Sequence, residues 1–472
     1  MGEIQVIPVI ILCVYILIMV SIGFFVNKFT INTSTDYMLA GRNMGVLMIA
    51  CSLAANNVGG GSTTGVAAKA FDGWGLSAAW YVLAAAVAMI PLSFFAPKIR
   101  KTMAVTIPEV VHRRFGKYAS IFTAVLNVLS LFCLTASQVL ASATVISTIT
   151  GIPLNVAVLV SGTIVILYTT LGGMLADAIA DILQFFIIFF GLLITVPFVI
   201  KGAGGWGAIS AALPNVELDM FKIGIPTILG LIFNYFCTFL SGPEMVSRFS
   251  SAEDEKTAVK ASVLSAVLMC LLAFLPTILG LVALAENPGL DNGTGTTALM
   301  YSASQYAPPV VTGLVSAALV AATMSSSDSN LLCASTILIK DIYQRFINPD
   351  VADKSLITIT RGSNIAICLI SMGIALFNIN LITLNLFAFA LRTAGPFAAY
   401  ALGMVVPKAT KNAGIISIVV GSIAVVGWQI WGADTGILPI VFGCFWGVAS
   451  FLLVTFIESS RGVPPAPSAY KD

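Results

Sequence analysis

The sequence predicts an all-α integral membrane protein of about thirteen transmembrane helices. Three observations predict it. Of its 472 residues 58% are apolar and 9% are charged, with a mean hydropathy of +0.99, whereas a soluble domain is about 45–50% apolar and about 25% charged. Apolar runs long enough to cross a bilayer core of about 30 Å, roughly 20 helical residues each, recur along the whole chain. Lys and Arg are concentrated in alternate segments between those runs. This composition excludes a soluble enzyme, a nucleic-acid binder and a secreted disulfide scaffold. The net charge of +2 supplies no global field.

The runs place spans at 5–26, 44–71, 74–96, 120–149, 153–171, 175–200, 223–247, 261–287, 308–340, 357–377, 380–406, 413–431 and 437–458. The first is too long for a signal-peptide core and has only Glu3 before it, so it reads as a retained helix. No linker or low-complexity stretch divides the chain, which reads as one transmembrane domain over 1–472. An odd number of spans puts the ends on opposite sides. With the N-terminus outside, the cytoplasmic segments hold 18 Lys and Arg and the external loops hold two, Lys201 and Lys222. That asymmetry predicts a multi-pass plasma-membrane protein with the N-terminus out and the C-terminus in. Segment 248–260, with Arg248, Lys256 and Lys260, counts among the cytoplasmic ones. The Pro-rich tail 462–472 reads as disordered and cytoplasmic.

Three spans carry weak or polar backbone where a lipid-facing helix has no use for it. In 44–71, Ala54-Ala55-Asn56-Asn57-Val58-Gly59-Gly60-Gly61-Ser62-Thr63-Thr64 sets two Asn and three Gly at mid-depth. Each Gly costs a helix interior about 1 kcal/mol against Ala, so this reads as an unwound segment, tolerated only where it lines a cavity. In 308–340, Ala322-Thr323-Met324-Ser325-Ser326-Ser327-Asp328-Ser329-Asn330 stacks hydroxyls around a carboxylate. Ser325 and Ser329 share one helix face, a stripe of hard oxygens suited to Na⁺. In 223–247, Ser241-Gly242-Pro243-Glu244 predicts a kink.

Ionisable groups inside spans mark function by default. They are Asp181, with Asp177 one turn earlier, Asp328, and Arg392 in Leu391-Arg392-Thr393-Ala394-Gly395-Pro396. Arg392 either holds a substrate carboxylate or pairs with Asp181 or Asp328. Lys69 is near enough to the outer surface to snorkel. The eight Cys sit in apolar runs without a CxxC, and His112 is the lone His, so no transition-metal site is expected. No nucleophile-elbow, zincin or phosphate-loop motif appears, and no enzymatic activity is expected.

Taken together and in order, several markers resemble the sodium:solute symporter family, which includes sodium-coupled sugar, proline, sialic acid, pantothenate and choline carriers. They are Asp36-Tyr37-Met38-Leu39-Ala40-Gly41-Arg42, Thr106-Ile107-Pro108-Glu109 with Arg114-Phe115-Gly116, Leu171-Gly172-Gly173, Asp181 with Gln184, and the serine stretch running into Ile339-Lys340-Asp341-Ile342-Tyr343. The resemblance implies a five-plus-five inverted-repeat transporter fold. Its repeats would be 44–200 and 223–406, preceded by 5–26 and followed by 413–431 and 437–458. It implies a sodium site from Ala55, Val58, Ala322, Ser325 and Ser326. Some members add a second site, which maps onto Asp181, Ser325, Asp328 and Ser329. Asp328 stands where those members have Ser, so that position reads as a second cation or a proton site.

What the resemblance implies is a sodium-coupled secondary symporter, working as a monomer in the lipid bilayer, that imports a small organic solute by alternating access. Na⁺ is its coupling ion. The solute pocket would lie beside the unwound segment, with Asn56, Ser62, Thr63, Trp80, Tyr81, Asn234, Tyr235 and Arg392 as candidates. Ser62 replaces a sugar-contacting Gln of the sugar carriers, which argues against a sugar, and Arg392, if it faces the pocket, argues for a small carboxylate, amino acid or other zwitterion. The triple Gly resembles the choline branch, so a quaternary amine stays open. Proton coupling through Asp181 or Asp328 on the same scaffold is the main rival, and a sensor or channel is a more distant one.

Overall fold

The computed structural model describes residues 6–29, 31–290, 297–377, 381–432 and 438–470. Within them the chain is helical almost throughout. Among the described residues nine helices are long and apolar enough to cross a membrane, or ten if the bent pair Ile225–Leu240 and Pro243–Ser250 is one span. The thirteen expected spans are not thirteen separate helices of that length, and the reason is physical. Spans 153–171 and 175–200 merge into one helix, Leu154–Gly202, of 49 residues. At 1.5 Å per residue it would be about 74 Å long if straight, more than twice a bilayer core. Gly173, at φ 58° and ψ −160°, turns it instead. A Cβ there would lie 2.5 Å from the Tyr37 carbonyl oxygen, so the corner admits only glycine.

Span 44–71 is broken into Val46–Asn57, a short turn at Gly60–Ser62 and Thr64–Lys69. Span 380–406 divides into Leu381–Ala394 and shorter turns over 398–405, and residue 380 lies outside the described residues. The kink expected at Ser241-Gly242-Pro243-Glu244 is a bend of 58°. Span 308–340 is the unbroken helix Pro309–Thr336, on which Ser325 and Ser329 can share a face, and hydroxyls on it bond back to its own carbonyls: Ser327 donates to the Thr323 carbonyl at 2.9 Å and Thr323 to that of Val320 at 2.9 Å.

This serine helix is the axis of the fold. Every residue from Val315 to Thr336 is buried, and it packs against Leu154–Gly202 and Lys117–Thr150. Peripheral helices expose large apolar side chains outward, among them Leu17, Phe94, Leu167 and Phe456. That surface suits lipid, while the polar side chains turn inward.

Two surface assignments are corrected. Residues 463–470 of the tail are docked: Ala466 N–H donates to the Ala409 carbonyl at 2.7 Å and Tyr470 Oη to that of Met404 at 3.0 Å. Arg248, counted with the cytoplasmic loops, is fully buried. Lys69 lies over the Trp74 ring, 4.9 Å from its centroid.

Candidate functional site

The break in the second span brings the site together. Helix Val46–Asn57 ends as Val58 N–H donates to the Ala54 carbonyl at 2.9 Å. Val58 then leaves helical geometry at φ −88° and ψ 57°. Gly59 is pressed against the serine helix: a Cβ there would lie 2.7 Å from Ser326 Oγ and 3.2 Å from Gln138 Oε1. Backbone groups released from the ladder find side-chain partners. Ser326 Oγ donates to the Asn56 carbonyl at 2.8 Å, Ser62 Oγ to the Asn57 carbonyl at 2.7 Å, and Gly60 N–H to Gln138 Oε1 at 3.3 Å. The glycine-rich break and the serine helix thus touch, as the sequence required of them.

Ala55, Val58, Ala322 and Ser325 have no exposed surface, and Ser326 is 5% exposed. Carbonyl and hydroxyl oxygens at a helix break are donors of the kind that suit an alkali ion. Of the two hydroxyls, Ser326 faces the break while Ser325 donates to Asp181 Oδ1.

A buried charge cluster lies beyond Ser325. Carboxylates Asp177, Asp181 and Asp328 each offer an oxygen within 4.8 Å of the others. Arg248, from Pro243–Ser250, inserts among them. Its Nη2 donates to Asp177 at 2.6 Å, to Asp181 Oδ2 at 3.1 Å and to Ser329 Oγ. Nε donates to Ser52 Oγ at 2.8 Å, and Ser52 in turn donates to Asp181. Asp328 is held from another side, by Tyr168 Oη at 2.5 Å and by the Ser329 N–H at 2.8 Å.

A pocket lies against the break. Asn56, Asn57, Ser62, Tyr81, Gln138, Tyr235, Ser326, Asn330 and Asn385 supply its polar lining, with Phe239 and Phe389 among its apolar walls. Tyr81 and Tyr235 meet edge to face at 5.6 Å. Asn56 Nδ2 and Asn385 Oδ1 are buried without a hydrogen-bond partner, so amide groups at the pocket await a ligand or water. At its inner wall Arg392 and Glu244 form a two-pronged pair, Nη1 to Oε2 at 2.5 Å and Nη2 to Oε1 at 2.6 Å, almost fully buried. Pairing of Arg392 with Asp181 or Asp328 is thereby corrected. Those carboxylates are already satisfied by Arg248 and by hydroxyls, whereas the 58° bend carries Glu244 to Arg392.

Of the solute candidates, Asn56, Ser62, Tyr81, Tyr235 and Arg392 line the pocket. Trp80, Thr63 and Asn234 do not. Trp80 Nε1 donates to the Met220 carbonyl at 3.0 Å, and Thr63 Oγ1 bonds back to the Gly59 carbonyl at 3.1 Å. Sequence reasoning missed Gln138, Asn330, Asn385, Glu244 and Arg248 as site residues. A Gln deep in span 120–149 and an acid directly after the Gly-Pro kink were the available signals. Arg248 offered none, since it follows the span and resembles an ordinary flanking charge.

The sodium:solute symporter family model matches residues 37–421. The high-affinity proline transporter PutP of Bacillus subtilis is 28% identical over 93% of this chain and 95% of its own length. The sodium/proline symporter of Escherichia coli is 26% identical over 97% and 93%. Among solved structures, a Na⁺-coupled sialic acid symporter in a substrate-bound, outward-open state superposes with a TM-score of 0.84 at 20% identity, covering 98% of each chain. The chain therefore belongs to the sodium:solute symporter family: it is a multi-pass membrane transporter, not an enzyme, that couples Na⁺ to the symport of a small organic solute.

Proposed function

We propose that the solute is a small zwitterion of the amino-acid class, imported with Na⁺. The observation that carries this reading is the Glu244–Arg392 pair. Among the described residues lining the pocket these two are the charged ones, and they cancel. A zwitterion opens the pair and replaces each half: its carboxylate takes the guanidinium and its ammonium takes Glu244. Net charge stays zero throughout. A simple carboxylate would satisfy Arg392 and leave Glu244 buried without a partner, and a quaternary amine would do the reverse; a lone buried charge is costly. A sugar would use neither. The sodium/proline symporters among the relatives accord with this class.

Na⁺ is held by the Ala55 and Val58 carbonyls, the Ala322 carbonyl and the Ser325 and Ser326 hydroxyls. Ser326 also lines the solute pocket, so ion and solute favour one arrangement of the break. That shared preference is the coupling. Repeats 44–200 and 223–406 supply the two halves that rock, both from one chain, so the transporter works as a monomer. The N-terminus lies outside and the C-terminus in the cytoplasm: without buried Arg248, the cytoplasmic segments still hold 17 basic residues against two.

The test is uptake into proteoliposomes with an inward Na⁺ gradient. Proline and other neutral amino acids are expected to enter only when Na⁺ is present. Preferential uptake of a monocarboxylate, choline or glucose would overturn the solute class. Uptake driven equally by a pH gradient without Na⁺ would overturn the ion.

A further inference from the structure

We infer that the docked tail 463–470 is a clasp across the cytoplasmic face, and that it brakes opening of the transporter to the inside. The inference rests on the proposed orientation and on the proposed rocking of repeats 44–200 and 223–406, not on which solute is carried.

The sequence of the tail suits this role. Pro464, Pro465 and Pro467 restrict the backbone and reduce the freedom lost on docking. Across 464–467 Ala466 carries the one backbone N–H, and that group donates to the Ala409 carbonyl at 2.7 Å. The surface that receives the tail is the end of span 380–406. Its last helical turn is Gly403–Val405, and the final carbonyls of a helix have no partner along it. Tyr470 Oη donates to the Met404 carbonyl at 3.0 Å, and the Lys101 ammonium lies 5.8 Å from the centre of the Tyr470 ring. Arg114, from helix Ile107–Phe115, donates through Nη2 to the Val406 carbonyl and to that of Pro407 at 3.3 Å. Through Nη1 it donates to the Pro467 carbonyl at 3.0 Å. Ala469 is 1% exposed and Arg114 5%, so the tail is packed into the face and does not merely lie over it.

These contacts join separate parts of the molecule. Lys101 and Arg114 belong to the first repeat, Met404 and Val406 to the second, and the tail reaches both. One guanidinium grips the pocket-bearing span with one nitrogen and the tail with the other, as a planar fork can. Any rocking that draws the inner end of span 380–406 away from helix Ile107–Phe115 must open the clasp. A native reporter lies close to the same face. Cys333, one turn beyond Ser329 on the serine helix, lines a cavity with Met38, Val105 and Thr106 from the cytoplasmic segments and is 5% exposed. Opening to the inside uncovers its thiol.

The experiment follows alkylation of Cys333 by N-ethylmaleimide in Na⁺-free buffer, read by peptide mass spectrometry. It compares the purified full chain with a variant lacking 463–472. No solute is added, so a wrong solute class leaves the result intact, and uptake into proteoliposomes tests that class separately. Loss of the tail is expected to speed alkylation of Cys333 about tenfold, roughly 1.4 kcal/mol, while the exposed thiol of Cys13 reacts at an unchanged rate. Ala466→Pro removes only the donated N–H and Tyr470→Phe only the hydroxyl; each is expected to give about threefold. Equal Cys333 rates with and without the tail would overturn the inference. So would equal acceleration at Cys13 and Cys333, which marks general loosening. Should the shortened chain fail to fold, the two substitutions decide: faster alkylation of Cys333 supports the clasp and an unchanged rate refutes it.

Discussion

Among the described residues two arginines, Arg248 and Arg392, are at most 1% exposed, and they are partnered in opposite ways. Arg392 meets one carboxylate, both prongs of the fork on Glu244, at the wall of the pocket beside the break. Arg248 is divided among Asp177, Asp181, Ser329, Ser52 and a backbone carbonyl, away from that pocket. The first arrangement is self-contained. It can open for a ligand that supplies one charge of each sign, and it can close again when the ligand leaves. The second ties several helices to one side chain and has no comparable substitute. A neutral pair in a pocket is a replaceable contact, whereas a shared cation within a packed cluster is a permanent one.

The sharpest way to break that contrast is to remove the shared cation. Arg248→Met leaves two carboxylates buried beside each other and is expected to cost about 3–5 kcal/mol of stability, read as a lowered melting temperature in detergent. Adding Asp177→Asn should recover part of the loss. Next comes the pocket pair. Glu244→Gln or Arg392→Gln alone should cost about 2–5 kcal/mol and raise the KM for a zwitterion at least tenfold, roughly 1.4 kcal/mol. The double variant should regain most of the stability without regaining transport. If it transports normally, the exchange of ion pairs is wrong.

Ser326→Ala tests the hydroxyl proposed as a Na⁺ ligand with little disturbance of charge. It should weaken Na⁺ binding about tenfold and change stability by about 0.5–1.5 kcal/mol, so that the two readouts separate. At the small end is the pair between Lys222 and Glu217, 2.6 Å apart and 20% and 14% exposed. Lys222→Ala is expected to cost at most about 1 kcal/mol and to leave Na⁺ dependence unchanged. A larger effect would show that partner number and burial do not rank these sites.

Much of the architecture was legible because lipid forces it. Apolar runs must be helical, and three consecutive glycines beside asparagines must break one. The contact between that break and Ser326 followed from the chemistry of the two stretches. Illegible parts share one cause, the third dimension of a bent chain. Nothing local in Arg248 or Glu244 says that a 58° bend swings one toward Asp177 and the other toward Arg392. Gln138 and Asn385 are ordinary residues until the break is placed opposite them. Trp80 misled because aromatic residues near a pocket's depth need not face it, and here its indole seals a loop against Met220.

The corner at Gly173 gives the charge cluster its direction. Asp177 and Asp181 follow it by one and two turns of the same helix. Tyr37, whose carbonyl crowds the corner, also bonds through its hydroxyl to the Thr170 carbonyl at 3.1 Å and accepts from Asn364 at 3.1 Å. The elbow is clamped on both sides, and both carboxylates are aimed by a single glycine. A methyl group at Gly173 would swing them together, like two pointers fixed to one shaft, and pull them off Arg248 without touching any member of the cluster.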